Sequence, residues 1–306
     1  MFVERTVVQV PSSLNLHVEN HIFDVDRESV ILVNGALSTT ASFRKTVKYL
    51  SARYNVICFD LPYAGQSRPL NGDTNFLLTK EDEVDILLHL IHRFKPKFLY
   101  SVSWGGLASL LALAREPSSI KRAVIGSFSP FLNPAMVDYV TRARAHIHAG
   151  ENLQAAQLLN DTVGKHLPRM LKHTNYMYLT SLPETEQKQV AFHVEQILAL
   201  QPESYMHCLS SIQSKVKFIN GDLDEYTTSA DIRTLGRYIP DAEFETVANT
   251  GHFLELEGRE QAAAMQEALM DFFGGGQRWD HPVMPQPIVT PALMRSAAVA
   301  NYEAVQ

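Results

Sequence analysis

Cysteine is almost absent from this sequence. Its 306 residues hold only Cys58 and Cys208, far apart, the first inside the apolar stretch YNVICFD. Neither a disulfide framework nor a metal site is expected, and a reducing compartment suits the chain best. Positive charge is not concentrated either. The 27 Lys and Arg against 33 Asp and Glu leave a formal charge of -6, with no dense basic run. This argues against nucleic acid as a partner and leaves any anionic ligand to a local patch. Nothing approaches the roughly 20 consecutive apolar residues of a membrane span. The opening stretch MFVERTVVQVPSSLNLHVEN alternates like strands and lacks the basic start, apolar centre and small-residue cleavage site of a signal peptide. A cytoplasmic location is expected.

What is present is the balance of a soluble globule, 45% hydrophobic and 20% charged. Short continuous apolar runs, ESVILVNGA, YNVICFD, PKFLYSVS and IKRAVIGSF, alternate with helical patterns over the first 130 or so residues. Such runs read as strands buried on both faces of a parallel sheet, in an α/β fold with helices on both sides. Thr79 opens one helix as an N-cap followed by acidic residues. Four segments follow: a first core part at 1–132, a helical lid at 133–204, a second core part at 205–273 and a mobile tail at 274–306. The lid reads as three helices, NPAMVDYVTRARAHIHAG, ENLQAAQLLNDTVGKHLPRMLKH and ETEQKQVAFHVEQILAL. Beyond it KVKFING and EFETVA resume the strand pattern.

The third strand runs into SVSWGG, which places Ser103 in the S-x-S-x-G form of a nucleophile elbow. The elbow needs small residues two before and two after its nucleophile, here Ser101 and Gly105, because backbone passes close on both sides. A serine hydroxyl also needs a base, and the base an acid to hold its tautomer. On a sheet of this kind the order is Ser, then Asp or Glu, then His, each in a loop at a strand end. GDLDEYTT offers Asp224 three residues beyond Gly221, and NTGHFLELE offers His252. Asp222 and Glu225 read as solvating a turn, Asp60 and Gly65 as shaping one. His89, His92, His146 and His173 sit on helical patterns with no catalytic context. Oxyanion donors are expected at the N–H groups of Trp104 and Ala36, the latter in VNGAL, where Asn34 stands in the place a histidine often takes before the glycine.

NGALSTTASF, FDLPYAGQSR, LTKEDEVDILLHLI, SVSWGG, NDTVGKHLP, FINGDLDEYTT and GHFLELE together resemble a bacterial group within the α/β-hydrolase fold. Two enzyme types of that group handle 3-hydroxyacyl chains. One is the 3-(3-hydroxyalkanoyloxy)alkanoate synthase that makes the lipid moiety of rhamnolipids. The other is the 3-hydroxyacyl-ACP:CoA transacylase, or thioesterase, that feeds polyhydroxyalkanoate synthesis. FDLPYAGQSR and the stretch around AMVDYVTRA are closer to the synthase, SFSP and NDTVGKHLP to the transacylase, and the synthase is the preferred reading. Either resemblance implies Ser103, His252 and Asp224 as nucleophile, base and acid. It implies a 3-hydroxyacyl-ACP or 3-hydroxyacyl-CoA substrate and no cofactor or metal. At most a loose contact with the inner membrane is expected. Met136, Tyr139, Tyr176 and Met177, with Leu171 and Leu179, are candidate acyl-chain contacts. Arg142, Arg144, Lys165, Arg169 and Lys172 are a candidate docking face for an acidic carrier protein.

Overall fold

The computed structural model describes residues 2–72 and 76–275. Eight strands form one sheet in the order β1-β2-β4-β3-β5-β6-β7-β8. They are β1 Phe2–Gln9, β2 Asn15–Ile22, β3 Ser29–Val33, β4 Asn55–Phe59, β5 Phe98–Val102, β6 Arg122–Gly126, β7 Lys215–Gly221 and β8 Ala242–Val247. The β1–β2 and β2–β4 pairs are antiparallel and all others parallel.

The helices are α1 Arg44–Leu50, α2 Arg68–Asn71, α3 Lys80–Phe94, α4 Gly105–Leu113, α5 Pro134–His148 and α6 Asn152–Asp161. There follow α7 Arg169–Thr180, α8 Glu184–Leu198, α9 Glu203–Met206, α10 Ser229–Ile232 and α11 Arg259–Phe273. The period-two alternation of side chains along a strand explains why the central strands are apolar throughout. In β3, Val30 and Leu32 point into a core with Leu50 of α1 and Leu269 and Phe273 of α11. Ile31 and Val33 point into the other, with Leu87 and Leu90 of α3 and Leu107 and Leu110 of α4. Thr79 caps α3 as expected, in a reciprocal box with Asp82.

Between β6 and β7 the chain runs through α5 to α9 with no strand. One expected helix is broken there. The segment ENLQAAQLLNDTVGKHLPRMLKH divides into α6 and α7, and α7 continues to Thr180. Pro168 lacks an N–H and its ring disfavours helical backbone at the preceding residue. The break is sealed by Gly164 N–H bonding to Leu159 O and Leu167 N–H to Gly164 O. The expected mobile tail lies, from residue 276 onward, outside the described residues. Among those described, no helix is long and apolar enough to cross a membrane.

Candidate active site

Three loops at the carboxyl ends of parallel strands meet above the sheet. Ser103 leaves β5 in a left-handed conformation, φ +51°, and its N–H donates to Gly126 O at 2.8 Å. That strained turn lifts its side chain out of the sheet while Trp104 and Gly105 start α4 behind it. A Cβ on Gly105 would stand 2.4 Å from Asn34 O, so only glycine fits where helix and neighbouring loop cross. The close approach falls on this side of the elbow, whereas Ser101, two before Ser103, is accommodated fully buried.

Ser103 Oγ lies 3.0 Å from His252 Nε2, and His252 Nδ1 lies 2.9 Å from Asp224 Oδ2. Asp224 is buried, and Oδ1 accepts the N–H groups of Tyr226 and Thr227 at 3.0 and 3.1 Å. The Thr227 hydroxyl donates to Oδ2 at 2.5 Å. Burial alone would raise the Asp224 pKa, but His252 and these hydrogen bonds outweigh it and hold the carboxyl below its ordinary range. With Asp224 ionised, a His252 proton held on Nδ1 would leave Nε2 able to accept the Ser103 proton. An arrangement of this kind can activate a serine. Thr227 was not foreseen in the sequence, where it is one of many turn threonines.

The oxyanion candidates lie on segments next to the serine. A Cβ on Gly35 would meet Ser103 Cβ at 3.2 Å, so the loop carrying Ala36 runs directly against the serine. Ala36 and Trp104 both line the cavity above it. Asn34, in the place often taken by histidine, turns away instead: its Oδ1 accepts from Ser42 Oγ at 2.9 Å and its side chain is buried.

Ser103 and His252 open on a cavity of about 350 Å³. Its floor is core, including Phe43, Tyr100 and Phe128, and its roof comes from α5, α6 and α8, including Val140, Leu159, Val190 and Val194. Met136, Tyr139 and Leu179 line it. Tyr176 and Met177 do not, and correct the sequence-based expectation, as does Leu171. Tyr176 packs on the small cluster of Ala156, Leu179 and Leu182, and Met177 is 54% exposed on the outer face of α7. Arg142, Arg144 and Lys165 pair with Asp138, Glu195 and Glu225. Among the described residues no acid pairs with Arg169 or Lys172. No group of three His, Cys, Asp or Glu among the described residues is arranged to hold a metal ion.

A family model described as alpha/beta hydrolase fold matches residues 28–258. The chain belongs to the α/β-hydrolase family. It is 43% identical over 269 residues to an (R)-3-hydroxydecanoyl-ACP:CoA transacylase of Pseudomonas aeruginosa, covering 88% of this chain and 89% of that one. A protein of the same name from Pseudomonas putida is 38% identical, with 88% and 91% covered. Among solved structures, an alpha/beta hydrolase enzyme from a Medee basin deep-sea metagenome library superposes with a TM-score of 0.72 at 17% identity, covering 91% of this chain and 100% of that one.

One feature of this α/β hydrolase was invisible in the sequence, a buried charged cluster behind Trp104. Trp104 Nε1 donates to Glu83 Oε1 at 3.1 Å, and Lys80 Nζ donates to Glu83 Oε2 at 2.6 Å while lying 3.6 Å over the indole ring. His193 of α8 brings Nε2 within 3.2 Å of Glu83 Oε1. The residue next to the serine is thereby tied to α3 and to the helical insertion. Burial pulls the Lys80 ammonium down to about 8 against the pull of Glu83. For Glu83, burial is outweighed by Lys80 and His193, and its carboxyl is held down at about 2. A carboxyl lowered on folding stabilises the fold above its ordinary pKa of 4.5, and the contribution fades as pH falls toward 2. Glu83→Gln strands a buried ammonium and should cost about 3–5 kcal/mol at pH 7. Denaturant titrations of both proteins should show that deficit shrinking between pH 4.5 and 2, where wild-type Glu83 takes up its proton. A deficit independent of pH would contradict the charge-based account.

Proposed function

We propose that this enzyme joins two 3-hydroxyacyl units through an ester on Ser103. The observation that carries the reading is the Ser103–His252–Asp224 line opening on a mostly apolar cavity roofed by helices. Ser103 Oγ attacks the thioester carbonyl of a 3-hydroxyacyl-ACP or 3-hydroxyacyl-CoA while His252 Nε2 takes its proton. The N–H groups of Ala36 and Trp104 hold the oxyanion, each such donor being worth roughly 2.7–4 kcal/mol in comparable sites. Collapse breaks the C–S bond, His252 protonates the departing thiol, and the acyl group stays on Ser103.

His252 then takes the proton of the 3-hydroxyl of a second 3-hydroxyacyl unit, whose oxygen forms the new ester as the acyl–Oγ bond breaks, and His252 returns the proton to Ser103 Oγ. Hydrolysis of the remaining thioester leaves 3-(3-hydroxyalkanoyloxy)alkanoic acid, the lipid precursor of rhamnolipids. The helices of residues 133–204 act here as a lid that keeps water from the acyl-enzyme, without which hydrolysis would win. A second reading, favoured by the 43% identity to a transacylase, uses the thiol of coenzyme A as acceptor and yields 3-hydroxyacyl-CoA.

Mass spectrometry of products from 3-hydroxydecanoyl-ACP, with and without coenzyme A, separates the readings. The proposal expects the ester-linked dimer acid in both reactions. A 3-hydroxyacyl-CoA product formed only when coenzyme A is added supports the second reading, and monomeric acid alone contradicts both. The same reaction tests Arg169 and Lys172 as carrier contacts. The double reversal Arg169→Glu, Lys172→Glu should raise KM for the ACP substrate, and an unchanged KM removes that role.

A further inference from the structure

The mechanism above leaves one carboxyl group of the cavity without a task. Glu255 is the only carboxylate among the described residues that line it. It is partly accessible, and it lines the cavity. A bare carboxyl in an apolar wall is costly, so its partners are informative. Thr46 Oγ1 donates to Oε2 at 2.6 Å, and Tyr49 OH to Oε1 at 2.6 Å. The Tyr100 hydroxyl also favours the ionised form of this carboxyl. Two carboxylate oxygens offer roughly four acceptor positions. The two hydrogen bonds from α1 leave capacity for a further donor on a group that lines the cavity.

A hydroxyl fits that role, because it can donate to the carboxylate or accept from the neutral acid. A second carboxylate would be repelled, and a methylene would leave the group unsatisfied. Burial, the largest influence on Glu255, raises its pKa, which favours a neutral ligand over a cation. The group shares its cavity with the chemistry, since Ser103 and His252 line the same walls. A 3-hydroxyl sits two carbons from the reacting carbonyl.

We infer that Glu255, braced by Thr46 and Tyr49, is the subsite that recognises a hydroxyl on the acyl chain and so restricts the enzyme to hydroxyacyl substrates. The inference rests on the acyl-transfer reading and adds the residues that select the substrate.

Single-turnover thiol release from 3-hydroxydecanoyl and plain decanoyl thioesters on the same carrier tests it, since this step precedes any choice of acceptor. Wild type should prefer the hydroxylated chain by about 100-fold or more, because sites built around a ligand hydroxyl reject analogues that lack it. Glu255→Leu should cut that ratio at least about tenfold, mainly by slowing the hydroxylated substrate. Tyr49→Phe should move the ratio the same way by less, and carries the test if the leucine variant does not fold. Equal wild-type rates on the two chains, or variants that slow both by one factor, would overturn the inference. So would a pH profile shifted alike for both substrates, which would assign Glu255 to His252 instead. Thiol release that persists in Ser103→Ala would instead defeat the acyl-enzyme reading itself.

Discussion

Ser103→Ala should reduce thiol release from a 3-hydroxyacyl thioester by about 10⁵-fold or more, the scale on which serine hydrolases lose activity when their nucleophile is removed. The substitution deletes one oxygen and leaves the oxyanion loop and cavity in place, so the folded protein should still bind substrate. Asp224→Asn should cost about 10⁴-fold for a different reason. An amide oxygen kept at the Oδ1 position retains the N–H bonds from Tyr226 and Thr227 and turns the NH2 donor toward His252 Nδ1. The His252 proton then moves to Nε2, which loses its role as acceptor. Thiol release at a fixed enzyme concentration, with circular dichroism to confirm folding, checks both. Activity within tenfold of wild type in either variant would contradict the mechanism.

Gly221→Ala should damage both stability and catalysis without touching a reacting group. A Cβ there would lie 2.1 Å from Thr250 O and 2.4 Å from Gly251 O. Both are backbone atoms, which cannot rotate aside as a side chain can. The loop carrying Asp224 is laced to the one carrying His252: Leu223 N–H donates to Thr250 O at 2.8 Å and Thr250 N–H to Asp222 Oδ1 at 3.1 Å. Forcing these loops apart should cost about 3 kcal/mol, the upper end for an overpacked core. A shift of about 1 Å between acid and base should lower kcat by about 10²-fold. Gly236→Ala is the control, its Cβ meeting only the Phe244 ring at 3.4 Å. Denaturation midpoints and kcat should fall for Gly221→Ala and hold for Gly236→Ala; a stable, active Gly221→Ala would show that these loops tolerate separation.

The sheet was legible because buried parallel strands are continuously apolar, and the loops at their ends could be read off the turn residues that follow. Ser103, Asp224 and His252 stand at three such ends, so chain order alone suggested that they meet. The face a helical residue presents is harder to read, since one apolar spacing serves for a cavity wall, a packing contact or an exposed ridge. Met136 and Tyr139 fell on the first and Tyr176 and Met177 did not. Partners remote in the chain were beyond reach. Thr46 meets Glu255 across 209 residues, and Glu83 meets His193 between α3 and α8, with no local pattern to mark either pair.

The most direct measurement is the intact mass of the protein quenched within one turnover of 3-hydroxydecanoyl-ACP. The account predicts a gain equal to one 3-hydroxydecanoyl group, located on Ser103 by peptide mapping and absent from Ser103→Ala. Product formed with no acyl group on Ser103 under any quench, or with the group on another residue, would contradict it.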